Sequence, residues 1–142
     1  MEGFPSQIPG AQRLYEWFGY WPDFHEAEVV SLLLQRSEPS ELCVHTWHMS
    51  NRVDANGSYV LERHVLVRFL LGGIESLNLD GFNRQNVLGE LVLSAEGEGF
   101  RIELSPCYGM AGSIVARDIS IAIEPAEMPL SMEGSVASSE VE

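Results

Sequence analysis

Positive charge is scarce in this chain. Eight Lys and Arg stand against 21 Asp and Glu, a formal net charge of -13. A surface that acidic is repelled by nucleic acid and by anionic membranes, so neither is expected as a partner. It attracts a basic partner and speeds the encounter. Cysteine is scarce too: Cys43 and Cys107 form no CxxC pair and stand in no Cys/His cluster with zinc spacing. Cys43, in an apolar run, reads as a small buried hydrophobe, Cys107 follows Pro106 in an expected turn, and two buried thiols are expected rather than a disulfide. The apolar runs fall far short of the roughly 20 residues of a spanning helix. The N-terminus, with Glu2 and Pro5, lacks the basic-then-apolar order of a signal peptide. A cytoplasmic protein is expected.

Catalytic signatures are also missing. There is no GxSxG elbow and no phosphate-binding glycine loop ahead of a helix. No catalytic residue, metal ligand or cofactor is assigned.

What is present is mainly β pattern. The 142 residues suit one domain, expected over 1–125, followed by an acidic tail over 126–142 whose Pro, Ser and Glu cannot bury enough surface to order. Residues 1–9 read as a loosely held arm. In AQRLYEWFGY (11–20), Leu14, Trp17 and Phe18 recur at helical spacing, and Gly19 and Pro22 supply a stop. From Glu26 the period becomes two. Residues 28–36 are apolar on both faces, as in a central strand. Residues 41–49 and 58–71 read as strands joined through an Asn56-Gly57 turn, and Gly72-Gly73 ends the second. Alternation returns at Leu77 and Leu79, over 87–94, at Phe100, Ile102 and Leu104, and over 113–124, where Val115, Arg117, Ile119, Ile121 and Ile123 share a face. The fold class is α+β and mostly β: an antiparallel sheet or sandwich of about seven strands with one short N-terminal helix.

Four clusters are candidates for function. Asp23, His25, Glu26 and Glu28 lie just before a strand, where only alternate residues converge, so the set is too small for a metal site. The bland role is an Asp23–His25 pair fixing the strand entry. His45 and His48 face opposite ways on a strand, and His64 meets at most one of them across the hairpin, which makes a three-histidine zinc site poor. Asn83, Gln85 and Asn86 either hold a loop through backbone bonds or present donors and acceptors to a partner. Tyr15, Trp17, Phe18, Tyr20, Trp21 and Phe24 crowd ten positions; most belong to core packing, and any left exposed make interface anchors.

The segments WPDFHEAEVVSLLLQR, FNRQNVLGELVL and FRIELSPCYGMAGSIVARDISI, in this order, resemble the immunity protein 50 family of bacterial polymorphic toxin systems. The resemblance covers roughly 17–124, and FHEAEV and FNRQNVL are its most specific pieces. It implies a cytoplasmic antidote that binds and blocks a cognate toxin, a basic one if the acidity serves steering. It assigns no inhibitory residues. The expected binding residues are Trp17, Trp21, Asp23, His25, Glu26, Asn83, Gln85 and Asn86. Two alternatives stand beside this reading: a metal-dependent enzyme using His25 and Asp23, and a structural or oligomer-forming module whose sheet edge pairs with another copy.

Overall fold

The computed structural model describes residues 5–37, 39–53, 55, 57 and 59–126, with side chains described outside 49–53 and 59–62. One helix, α1 (Ala11–Phe18), precedes six strands: β1 (Glu28–Leu33), β2 (Ser40–Val53), β3 (Tyr59–Asp80), β4 (Val87–Glu96), β5 (Gly99–Tyr108) and β6 (Ala111–Pro125). All neighbours are antiparallel, and the sheet closes into a barrel in the order β1-β2-β3-β6-β5-β4.

The interior follows the period of two. Leu42 and Val44 on β2, Val65, Val67, Phe69 and Leu71 on β3, and Ile102 and Leu104 on β5 are buried in one core. A barrel this narrow is filled by side chains and holds no channel. The helix adds Ala11, Leu14 and Phe18 to that core, with Trp17 packed against its margin. Gly19 ends α1 in a left-handed turn, its N–H bonding Tyr15 O at 2.7 Å.

Several expectations change. The strand count is six because β3 runs through Gly72-Gly73 instead of stopping there. The glycine pair still leaves a mark. Gly73 has φ +62°, the register shifts between Ile74 and Ser76, and the buried positions of β6 change phase at the exposed Arg117–Asp118 step. Ile114 and Ala116 therefore face the core before the step and Ile119 and Ile121 after it, rather than one face running from Val115 to Ile123. Arg63, which interrupts the apolar face of β3, is a bulge: it has φ +58°, and the pairing passes from Thr46–Val65 to His48–Glu62 around it. Residues 5–9 are not a loose part of the arm, since Ile8 is buried and Pro9 O accepts from Ile121 N at 2.8 Å. Both thiols are free. Cys43 is buried, and burial pushes its thiol up; Cys107 is exposed and lies within β5, not in a turn or a buried site. Asn56 and the 127–142 part of the expected tail lie outside the described residues.

Candidate partner-binding site

The two segments most distant from regular β pattern meet where the barrel closes. Phe24 and Glu26 both take left-handed backbone, φ +65° and +68°, which costs roughly 1–2 kcal/mol for each non-glycine residue. The turn is held on both sides. Phe24 is almost wholly buried, its ring 5.9 Å from that of Phe69, and Glu26 N donates to Leu88 O at 2.7 Å. Asp23 Oδ1 accepts from the backbone N–H of His25 at 2.9 Å, while Asp23 O accepts from Leu91 N at 3.2 Å. The His25 ring turns away from Asp23 and donates from Nδ1 to Gly89 O at 3.1 Å. Asp23 and His25 thus fix the strand entry, through a backbone bond rather than a side-chain pair.

The opposing loop, 81–86, is built by its amides. Asn86 is buried. Its Oδ1 accepts from Asn83 N (3.0 Å) and Met110 N (3.1 Å), and its Nδ2 donates to Asn83 O (2.6 Å). Asn83 Oδ1 in turn accepts from Gln85 N at 2.7 Å. Asn83 and Asn86 therefore hold the loop, and the exposed Arg84 and Gln85 are what it presents.

Between these segments the barrel is closed over a very short length. Glu28 and Val87 are the paired positions of β1 and β4, flanked by Leu88 N→Ala27 O at 2.8 Å and Val29 N→Asn86 O at 2.9 Å. Beyond Val29, among the described residues, no backbone hydrogen bond joins β1 to residues 81–86. The far edge of β1 is open there, and its side chains are apolar: Val30 and Leu33 are each 53% exposed, and Phe82 on the facing loop is 57% exposed. Two clefts flank this seam. One, of about 420 Å³, is lined by Glu28, Val30, His45, Leu66, Arg84 and Gln85. The other, of about 410 Å³, is lined by Leu32, Leu34, Leu77, Leu79, Asp80 and Phe82.

A histidine pair backs the first cleft. His45 Nε2 and His64 Nδ1 share a hydrogen bond at 3.1 Å with the rings stacked at 22°, and Trp47 packs against both. The Glu28 carboxylate lies 3.8 Å from His45 Nδ1 and favours the proton on that nitrogen, which leaves Nε2 to accept from His64. Burial, with His64 adding to it, holds His45 below the usual imidazole range against the opposing pull of Glu28. Among the described residues no three His, Cys, Asp or Glu side chains are grouped to hold a metal ion.

The model of the family described as immunity protein 50 matches residues 10–125. The chain belongs to the immunity protein 50 family. No curated protein and no solved structure matches it. The immunity protein 50 match takes in α1, all six strands and both sides of the seam.

Within this immunity protein 50 domain the eight expected binding residues divide. Asp23, His25, Glu26, Asn83, Gln85 and Asn86 are brought together at the seam, four of them spent largely on backbone. Trp17 and Trp21 are not part of it: both are half-buried against the core, and Trp17 exchanges bonds with the bulge, its Nε1 donating to Arg63 O at 3.1 Å and Trp17 O accepting from Arg63 Nη1 at 2.6 Å. Val30, Leu33, Leu34 and Phe82, exposed at the seam, were not among the expected residues. Their signal was the run apolar on both faces, which marks a central strand only when both faces are covered.

Proposed function

We propose that the chain is an antidote of a bacterial polymorphic toxin system, acting in the cytoplasm by binding a cognate toxin and covering its working surface. Membership of the immunity protein 50 family over residues 10–125 is the observation that carries this reading. The net charge of -13 supports a basic toxin and argues against nucleic acid or an anionic membrane as partner. Action by occlusion rather than catalysis is supported by the use of polar groups at the seam: Asp23, His25, Asn83 and Asn86 each bond backbone and so serve to hold the seam's shape. A complex of ordinary size buries about 1,600 Å² in total.

Co-expression with the toxin encoded beside this chain's gene, in a host that has neither, tests the proposal. Growth is expected to be restored, with a stoichiometric complex on size exclusion. Growth arrest that persists while both proteins are soluble would contradict it.

A further inference from the structure

An exposed strand edge carries a row of backbone N–H and C=O groups with no protein partner, and folded chains usually blunt such edges with charge or proline. The open edge of β1 carries neither charge nor proline, and its one irregularity is a register shift against β2 between Val29 and Ser31. Over Val30–Leu34 it shows Val, Ser and Leu, and the hydrogen bonds that close the barrel stop at Val29. It is also rigid. On its other side β1 is paired with β2 from Glu28 to Leu33, and the turn between them is locked by Ser40 Oγ, which accepts from Gln35 N at 2.9 Å and donates to Gln35 O at 3.3 Å. An ordered edge with a cleft at each side matches what strand addition uses: main-chain bonds for affinity, and pockets that take alternate side chains for specificity.

We infer that the seam between β1 and residues 81–86 binds an extended segment of a basic protein partner as an added strand, with the segment's side chains seated in the two clefts. Charge selects this occupant. A second copy would bring -13 against -13. The residues lining the two clefts include Glu28 and Asp80 against Arg84 as the one cation. The chain contains no lysine, and three of its eight arginines are tied down: Arg63 to Trp17 O, Arg68 to Glu41 and Glu124, and Arg101 to Glu96. The apolar walls, Leu32, Leu34, Leu77 and Phe82 in the second cleft, call for an aliphatic or aromatic residue in the segment beside its cationic ones.

The inference names the surface by which the proposed antidote meets its toxin, and so rests on that reading. The test is calorimetric titration of the full chain with the purified toxin domain encoded by the adjacent gene. Val30→Glu with Leu33→Glu makes the chain more acidic, so long-range attraction of a basic partner is strengthened and any loss comes from the seam. The double substitution is expected to weaken binding at least about 100-fold. Val92→Glu, on the outer wall of β4 and 42% exposed, is expected to leave the affinity within about threefold. Where the double variant melts well below the wild type, Phe82→Glu replaces it, with the same loss expected. Wild-type chain that fails to bind the toxin overturns the antidote reading itself. Wild type and seam variants that bind equally overturn the seam alone. So does a wild-type mass that doubles with concentration and returns to monomer in the double variant, because the edge would then belong to a second copy.

Discussion

Glu28 faces Val87 at the point where β1 and β4 close the barrel, and two residues further along β1 the closure has ended. The two faces of β1 also differ. Val29 is buried, while Val30, one position on, stands with half its surface in water. Around this point the structure invests its backbone-directed polar groups, and the predictions concern what those groups hold.

Asn86→Ala removes the acceptor of Asn83 N and Met110 N together with the donor to Asn83 O. Leaving two such donors without partners costs about 3 kcal/mol. Urea unfolding is expected to show that loss with an unchanged slope. A loss under about 0.5 kcal/mol would mean that the loop does not depend on Asn86.

Gly109→Ala strikes the same place from the other side. Gly109 has φ +83°, and an added Cβ would stand 2.4 Å from Asn86 Oδ1 and 2.7 Å from Gln85 O. The loop must move, and about 3 kcal/mol or more of stability is expected to go. Part of that cost should vanish in the Asn86→Ala background, because the closest of the clashes is with the deleted atom. Strictly additive losses would contradict the arrangement.

Stability should fall as the pH drops below the ordinary imidazole value of 6.5. Burial and His64 depress the folded pKa of His45, so between 6.5 and that lower value the unfolded chain binds the extra proton. Acid then favours unfolding, and stability rises with pH through this window. His45→Gln is expected to flatten the pH dependence of the urea midpoint between pH 6.5 and the depressed value. An equally steep dependence in the variant would place its origin in other groups.

Association with a basic toxin should slow steeply as salt is raised, while dissociation changes little. Stopped-flow rates across a salt series measure this. A rate of association indifferent to salt would remove the role given to the net charge of -13.

Much of the fold was legible in local pattern. Leu14 and Phe18 at helical spacing, stopped at Gly19, mark α1, and Ile102 and Leu104 alternating with Arg101 and Glu103 mark β5, because each pattern is decided within its own segment. What failed depended on neighbours. Val30, Leu33 and Leu34 look like the residues of a central strand, and whether they are covered is decided by what packs on the outer face of the barrel, which no periodicity within 28–36 records. The glycine pair at 72–73 looked like an end; β6 pairs across it with a change of phase. His64 was placed within reach of at most one histidine across the hairpin. It meets His45, because the pairing of His45 with Leu66 puts His64, two residues before Leu66, on the same face of the sheet. At the candidate site, Asp23, His25, Asn83 and Asn86 stood out through their side-chain chemistry, and they proved to be the frame of a surface whose exposed part is apolar.

Hydrogen exchange of the full chain, free and saturated with the adjacent-gene toxin domain, tests the central claim most directly. Strand addition predicts that those backbone amides of Val30–Leu34 that point away from β2 exchange in the free chain and become strongly protected in the complex, while the outer wall of β4 and β5 is unchanged. A complex in which those amides exchange as in the free chain, with protection appearing elsewhere, would contradict it.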